Sequence, residues 1–133
     1  MSIKMKPSRY NFTLDLQRTQ SQICLAAVQG DTYRELYINF SDGSNQVVLE
    51  EGTTASLIIE RPDGVALEHL CDVVDDGAAV LYSFKKTTCE VDGLHNCQLL
   101  LTFPDEDDDD SNNPQLHSPL FSMNVAKKKI ILT

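Results

Sequence analysis

The sequence predicts an all-β protein, a sandwich of about eight or nine short strands that pair mainly antiparallel. Three observations carry this prediction. Apolar and polar residues alternate with a period of two along most of the chain. Turn signals separate the alternating segments about every 8–12 residues. No helix-length window keeps a period of 3.6, so the crossover helices that parallel sheets ordinarily need are not expected.

The predicted strands are recognised in chain order by alternation, or by the turn residues at their ends. The first strand, 10–16, places its apolar residues on one face: Tyr10, Phe12, Leu14 and Leu16. A short apolar run, 23–28, follows and ends at Gln29-Gly30-Asp31, where Gly30 is expected to supply a positive φ. The later predicted strands are 34–40, 55–61, 65–73, 78–84, 93–103 and 120–125.

The predicted turns lie where residues that tolerate positive φ, or that bond their own backbone, come together. Ser41-Asp42-Gly43-Ser44-Asn45 follows the third strand, and Pro62-Asp63-Gly64 is expected to close a hairpin between the next two. Asp75-Asp76-Gly77 leads into the strand 78–84. The polar stretch 85–92 has room for a single helical turn.

The segment 93–103 has the strongest strand pattern in the chain. His95, Cys97, Leu99, Leu101 and Phe103 face one way, and Leu94, Asn96, Gln98, Leu100 and Thr102 face the other. Since His95 lies on the apolar face, we expect a histidine satisfied within the core or at its edge rather than a catalytic one.

The 133 residues correspond to one domain without an internal repeat. We expect a flexible N-terminal segment at 1–9, the sandwich at 10–126 with an acidic surface loop at 104–114, and a C-terminal tail at 127–133. No apolar run approaches the ~20 residues of a membrane-spanning helix. The first ten residues contain lysines but no apolar stretch behind them, so no secretory signal is expected.

The charge pattern argues against a nucleic-acid partner. The net charge is −9, from 20 acidic and 11 basic residues, and six of the acids form the run Asp105–Asp110. Nucleic-acid binding requires a basic footprint, which this chain lacks. Within the acidic run, Asp105, Asp107 and Asp109 are candidate ligands for a hard cation such as calcium. The run lacks the glycine and distal glutamate of a calcium loop, so a solvated loop is the favoured interpretation.

No combination of residues predicts an enzyme, and no cofactor is expected. His69, His95 and His117 are the candidate bases, but no nucleophile motif accompanies them, and no glycine-rich phosphate loop occurs. The four cysteines, Cys24, Cys71, Cys89 and Cys97, include no Cys-x-x-Cys pair. Three disulfide connectivities are open on sequence grounds, and buried free thiols are favoured because no export signal is present.

Two further groups of residues are candidates for binding. Tyr33 and Tyr37 are the best exposed aromatic candidates for stacking on a glycan, although surface strand residues are the simpler interpretation. The tail Lys127, Lys128, Lys129, Ile130, Ile131 and Leu132 joins three lysines to three apolar residues. We expect this tail either to pair as an added strand or to dock on a neighbouring subunit.

The order of several short segments resembles the N-terminal domain of the phage baseplate upper protein family. The segments are Tyr10-Asn11-Phe12-Thr13-Leu14-Asp15-Leu16, Gln29-Gly30-Asp31, Arg61-Pro62-Asp63-Gly64 at the end of a strand, Val91-Asp92-Gly93 before the strand 97–103, and Ser118-Pro119-Leu120-Phe121-Ser122-Met123-Asn124-Val125. The resemblance covers about Tyr10 to Lys127. It depends on the order and spacing of the segments rather than on any single motif.

The resemblance implies an immunoglobulin-like β-sandwich with a structural role in the virion. Such domains lie in the tail tips of siphophages, where they connect the tail hub to the receptor-binding apparatus. The implied partners are other baseplate or tail proteins and further copies of the chain, with no nucleic acid and no membrane. Family members commonly continue into a linker and a C-terminal domain, whereas this chain ends soon after the predicted sandwich. The alternative function is a stand-alone carbohydrate-binding or adhesin-type sandwich module.

Overall fold

The computed structural model describes residues 2–104 and 113–129, and these form ten β-strands. The strands are β1 (Ser8–Asp15), β2 (Gln20–Val28), β3 (Arg34–Asp42), β4 (Asn45–Val47), β5 (Thr54–Glu60), β6 (Ala66–Val74), β7 (Ala79–Ser83), β8 (Gly93–Thr102), β9 (Gln115–His117) and β10 (Leu120–Ala126). A tight turn, Asp75–Gly77, joins β6 to β7. None of the described helical turns is long and apolar enough to cross a membrane.

The strands form one continuous sheet that folds over on itself into a sandwich-like barrel, in the order β1-β3-β7-β6-β5-β8-β10-β2. Strand β6 turns the corner between the two layers. Its residues 66–71 pair with β5 in one layer, and its residues 72–74 pair with β7 in the other. The short strands β4 and β9 add to β3 and β8. The predicted all-β sandwich is therefore confirmed.

The two end strands of this order, β1 and β2, are joined across the remaining seam by a side-chain contact. The Tyr10 hydroxyl on β1 donates a hydrogen bond to the Ala26 carbonyl on β2. Beside the seam, the ring of Phe12 on β1 meets the ring of Phe121 on β10, with centroids 5.3 Å apart. The seam is thus bridged by side chains, although no backbone ladder joins β1 to β2 among the described residues.

Two described strand pairs are parallel. The sequence predicted mainly antiparallel pairing, because it shows no crossover helices. Strand β1 runs parallel to β3, and β2 runs parallel to β10. The chain passes from β1 to β3 through β2 in the opposite layer, so a strand makes the crossover that a helix usually makes. The other described pairs are antiparallel, in agreement with the sequence.

The inward faces of both layers form one hydrophobic core. Its largest fully buried side chains are Tyr82, Phe40, Leu14, Ile38, Leu57, Ile59, Leu99, Leu101 and Met123. In β8 the predicted inward residues from His95 to Leu101 are buried, and Phe103, just after the strand, is half-buried. Each fully buried side chain of this size contributes roughly 1.5–3 kcal/mol through removal of apolar surface from water. The alternation therefore accounts directly for the two layers.

The strand boundaries differ from the expectations at a few places. Strand β1 begins at Ser8, inside the stretch expected to be flexible. The three-residue strands β4 and β9 were not predicted, because each is too short and polar to show alternation. The stretch 85–92 consists of turns and bends rather than a helical turn.

Candidate functional site: the exit end of the sandwich

One end of the sandwich, here called the exit end, is where β10 finishes and Lys127–Lys129 follow. The connection from β7 to β8, residues 84–92, lies at this end, because Gly93 on β8 pairs with Val125 at the end of β10. The turns that follow β2 and β5 lie here too. Three of the segments that carry the family resemblance thus come together: 29–31, 61–64 and 91–93.

The turn Gln29-Gly30-Asp31 is built around a left-handed glycine and a capping carboxylate. Gly30 has φ +92°, as expected, and its N–H donates to the Cys89 carbonyl at 2.8 Å. The Asp31 carboxylate accepts from the Val28 N–H at 3.0 Å and from Arg34 Nε at 2.6 Å. Burial raises the pKa of Asp31, but these hydrogen bonds outweigh it, and the pKa lies below its ordinary value. The turn therefore has a structural role.

Arg34 extends this cluster to the first strand. Its guanidinium lies over the Tyr10 ring, 5.5 Å from the centroid, and its Nη1 donates to the Tyr10 hydroxyl at 2.8 Å. The hydrogen bond that Arg34 donates to Asp31 raises the pKa of Arg34 further, so the side chain stays charged. The turn after β2 and the start of β1 are thereby held together across the seam.

Arg61 is the second arginine that ties the exit end together, and it is only 7% exposed. Its Nε donates to Asp63 Oδ1 at 3.1 Å, and its Nη2 pairs with the other carboxylate oxygen of Asp63. Its Nη1 reaches Glu90 Oε1 at 3.1 Å. The hydrogen bond from Arg61 lowers the pKa of Asp63 to about 2. A buried arginine thus joins the β5–β6 turn to the 84–92 connection.

A close backbone approach reinforces this junction. Gly93 has φ +116°, and a Cβ atom at that position would lie 2.9 Å from Pro62 Cγ. Glycine is the residue that fits there. The segments Arg61-Pro62-Asp63-Gly64 and Val91-Asp92-Gly93, which are about 30 residues apart in the sequence, therefore form a single contact.

The 84–92 connection itself is anchored by two fully buried residues, Thr88 and Cys89. The Thr88 hydroxyl is 2.7 Å from the Tyr82 hydroxyl and accepts from the Lys85 N–H at 2.9 Å. Burial raises the pKa of the Cys89 thiol to about 11. The connection is consequently part of the core rather than a loose loop.

On this scaffold lies a cleft of about 540 Å³, which we call the exit cleft. Its lining residues are Gln29, Gly30, Thr32, Lys86, Glu90, Lys127 and Lys128. The Lys128 N–H donates to Gln29 Oε1 at 3.2 Å, and the Gln29 N–H donates to the Ala126 carbonyl at 2.8 Å. These bonds fix where the chain leaves β10. In the described part of the chain, none of the three lysines forms an ion pair.

The predicted interface residues fall partly inside this cleft. Lys127 and Lys128 line it, and Lys129 follows as an exposed residue. Ile130, Ile131 and Leu132 lie outside the described residues. The sequence did not single out Lys86 or Gln29 as members of the same surface, because they are brought beside the tail only by the pairing of β10 with β2 and β8.

The three histidines lie in different environments and do not form a common site in the described part of the chain. His95 is fully buried on β8, with Nδ1 3.0 Å from the Gly93 carbonyl, and burial lowers its pKa. His69 stacks on the ring of Tyr82, with centroids 6.1 Å apart. His117 is exposed on β9. His95 is thus a core histidine, as its strand position predicted, but it is only partly satisfied, because its Nε2 has no hydrogen-bond partner in the described part of the chain.

The two exposed aromatic candidates also make contacts within the chain. Tyr33 is 54% exposed, and its hydroxyl donates to the Met5 carbonyl. The Arg9 guanidinium covers the Tyr37 ring at 4.9 Å from the centroid, and the Tyr37 hydroxyl donates to Asp75. Tyr37 is therefore not a free stacking platform.

All four cysteines are free, but the expectation of buried thiols is wrong for Cys24. Cys24 points outward from β2, because Ile23, Leu25 and Ala27 take the inward positions of that strand. Burial raises the pKa of Cys71 and Cys97 to about 12. The candidate cation ligands Asp105, Asp107 and Asp109 lie outside the described residues. Among residues 2–104 and 113–129, no cluster of three or more potential metal ligands occurs.

A solved structure resembles the fold of this chain. No protein-family model matches the chain, and no curated protein matches it either. Among solved structures, the chain is similar to the N-terminal domain of ORF48 of phage TP901-1, with a TM-score of 0.64. The sequences are 10% identical, and the match covers 90% of this chain and 99% of the phage domain. At this identity the likeness shows a shared fold.

Proposed function

We propose that the chain is a structural subunit of a phage tail baseplate that links the tail hub to the receptor-binding apparatus through protein–protein contacts. One observation carries the proposal: the chain shares its fold over nearly its full length with the N-terminal domain of a phage protein. The ordered segments that resemble the baseplate upper protein family support the same role. The corresponding location is the virion tail.

The exit end supplies the features that such a role needs. Arg34 and Arg61 fix the turns of this end, so the surface presented to a partner is preorganised. The lysines of the exit cleft, Lys86, Lys127 and Lys128, are exposed at its rim. Exposed charges of one sign on a rigid scaffold favour recognition of a partner with complementary charge. The role is binding rather than catalysis, and it requires no cofactor.

Electron microscopy of the phage particle tests the proposed location. Antibody-labelled chain is expected at the tail tip, and labelling of purified tails with baseplates should equal that of whole particles. Particles without label would contradict the proposal. If the purified chain then bound a glycan array reproducibly, the stand-alone carbohydrate-binding module would be the better assignment.

Deletion of residues 127–133 tests whether the tail segment serves binding rather than folding. In the described part of the chain, the contact that holds this segment is the bond from Lys128 N–H to Gln29. If the segment serves binding rather than folding, the deletion should change the melting temperature by less than about 4 °C, the shift expected for less than about 1 kcal/mol. Binding to the tail-hub protein of the same phage should be lost in a pull-down.

Removal of residues 2–4, an exposed segment at the other terminus, is the matched control and should leave hub binding intact. A chain without 127–133 that binds the hub normally, or that melts far lower, would contradict a binding role for the tail segment.

A further inference from the structure

The seam between β1 and β2 leaves a row of backbone groups on β1 without a partner strand. Among the described strands, β1 pairs only with β3, in a continuous parallel register. The Ser8 N–H donates to the Tyr33 carbonyl at 3.0 Å, so Ser8 and every second residue after it turn their backbone groups toward β3. The N–H and C=O groups of Arg9, Asn11 and Thr13 consequently point out of the free edge. Such an edge is a template for an added strand.

The edge of β2 on the other side of the seam is less suitable for strand addition. Its Val28 N–H and C=O groups are already bonded to the Asp31 carboxylate and the Asp31 N–H. Its Ala26 carbonyl accepts a hydrogen bond from the Tyr10 hydroxyl. The pairing of β2 with β10 also contains a register shift, and an irregular strand is a poor template. The regular edge of β1 is therefore the one that can accept a strand.

The seam also leaves part of the hydrophobic core open. Four side chains of β1 and β2 pack against the core but are only half-buried: Tyr10, Phe12, Ile23 and Leu25. The inward apolar residues of the central strands β3, β5 and β8 are buried. An added strand with one apolar face would meet two needs at once, because it would pair with the free backbone groups and cover these side chains.

A segment with the pattern of such a strand lies near the N-terminus. We call residues 2–6, Ser2-Ile3-Lys4-Met5-Lys6, the N-terminal arm. Ile3 and Met5 alternate with the two lysines, and they are 91% and 69% exposed. Five extended residues span about 17 Å, which is also the length of residues 9–13 of β1. The arm contains no acidic residue in a chain of net charge −9, so electrostatic attraction favours its approach to another copy.

The arm does not cover the seam of its own chain. The Tyr33 hydroxyl donates to the Met5 carbonyl at 3.0 Å, which holds the arm beside the residues that follow the turn 29–31. To lie along its own β1, the arm would have to reverse direction at Pro7. There is no room for a hairpin loop at that point, because Ser8 is already paired with Arg34 on β3. An arm that covers the edge would therefore come from another molecule.

We propose that the N-terminal arm of one copy adds as a strand to the free edge of β1 in a second copy. The backbone of the arm pairs with that of residues 9–13. Ile3 and Met5 face inward and cover the half-buried side chains at the seam, while Lys4 and Lys6 face solvent. Copies that exchange arms reciprocally form a dimer, and exchange in one direction gives a ring or a filament. The inference goes beyond the proposed function, because the contact involves neither the exit cleft nor the tail hub.

Sedimentation velocity of the purified full chain, over a series of concentrations, tests this contact without any other phage protein. The wild type should show concentration-dependent association. The combination of Ile3→Asp and Met5→Asp, here called the arm variant, should weaken association at least about tenfold, because two apolar side chains lose their burial. The arm lies outside the paired strands, so circular dichroism should show an unchanged fold.

The combination of Leu70→Asp and Leu94→Asp is the matched control. These two residues are 76% and 52% exposed on the outer faces of β6 and β8. The control therefore makes the same change in net charge at exposed apolar residues away from the seam, and it should leave association unchanged. An effect equal to that of the arm variant would contradict the proposal.

Capture by a tagged chain tests the edge of β1. The tagged arm variant should still capture the wild type, because its own edge is intact and the wild type supplies the arm. When Asn11→Pro is added to the tagged chain, capture should fall at least about tenfold, because proline lacks the outward N–H and places its ring where the added strand lies. An edge strand tolerates proline at such a position, and circular dichroism verifies the fold.

Hydrogen exchange locates the contact in the wild type itself. The outward N–H groups of Asn11 and Thr13 should exchange more slowly in the associated state than in the monomer, because a partner strand then accepts their hydrogen bonds.

The proposal would be overturned by a wild type that stays monomeric at all concentrations, or by unchanged exchange of these two N–H groups on association. Equal capture of the wild type with and without Asn11→Pro would also overturn it. None of these results bears on particle labelling or on the hub pull-down, so the proposed baseplate role is tested separately.

Discussion

At the exit end, charged side chains join three turns to one another. At the opposite end, the loop 48–53 and the turn Asp75–Gly77 are joined by backbone contact, and together they carry four carboxylates. Arg34 and Arg61 are each bonded to a carboxylate from a turn, so their charges are used within the fold. Glu50, Glu51, Asp75 and Asp76 line a cavity of about 770 Å³ at the opposite end, the acidic cavity, and have no cationic partner among the described residues. The difference indicates that charged side chains stabilise the exit-end turns, whereas backbone contact holds the two loops of the opposite end together.

The largest expected effect comes from the close approach at the acidic cavity. Gly77 has φ +90°, and the added Cβ of Gly77→Ala would collide with the Leu49 backbone. Because neither the torsion nor the space suits a side chain, we expect a loss of about 2–4 kcal/mol in the free energy of unfolding. Urea denaturation followed by circular dichroism measures this loss.

Gly30→Ala at the exit end is the matched control. Gly30 has nearly the same φ, +92°, but a Cβ there would meet no atom within 4 Å. Only the strained torsion remains, which costs roughly 1–2 kcal/mol. Equal losses for the two variants would show that the two loops of the acidic cavity are not held by backbone contact.

The strands and most turns could be predicted because they depend on local patterns. Alternation in β8 identified both of its faces, and Pro62-Asp63-Gly64 identified a hairpin. By contrast, β2 is an apolar run in which both Leu25 and Ala26 are suitable for burial. Such a run does not show which of its faces points inward, so the outward position of Cys24 could not be predicted.

The candidate sites were harder to predict, because they depend on long-range contacts. The pair Arg34–Asp31 has a local signal, since the residues are three apart. The pair Arg61–Glu90 joins residues 29 apart, and no pattern in the sequence indicates it. The lysines of the tail were recognised, but the acidic cavity was not, because its two loops are brought together only by the turn of β6 between layers.

A moderate effect is expected when the buried arginine of the exit end is removed. Arg61→Ala eliminates the pairs with Asp63 and Glu90, and both of these carboxylates are already exposed to water, so neither is left buried without a partner. We expect a loss of about 1–3 kcal/mol in the free energy of unfolding, typical of hydrogen bonds to charged groups. The measurement is again urea denaturation.

Arg9→Ala provides the comparison within the same end. Arg9 pairs with Glu35 at 2.8 Å, but its side chain is 45% exposed, and exposed pairs are worth less than about 1 kcal/mol. If Arg9→Ala cost as much as Arg61→Ala, burial of the guanidinium would not be what stabilises the exit end.

The smallest effect is a dependence of stability on pH that originates at Asp63. The bond from Arg61 lowers the pKa of this carboxyl from 3.8 to about 2, so the folded state favours the ionised form. The resulting stabilisation is fully present above pH 3.8 and disappears as the pH falls through about 2. Asp63→Asn removes the titrating group, and the difference in melting temperature between wild type and variant should therefore shrink as the pH is lowered from about 5 to about 2. A difference that stayed constant over this interval would mean that the charge of Asp63 contributes nothing to the stability of the junction between the β5–β6 turn and the 84–92 connection. The contacts of Asp63 would then act through their geometry alone.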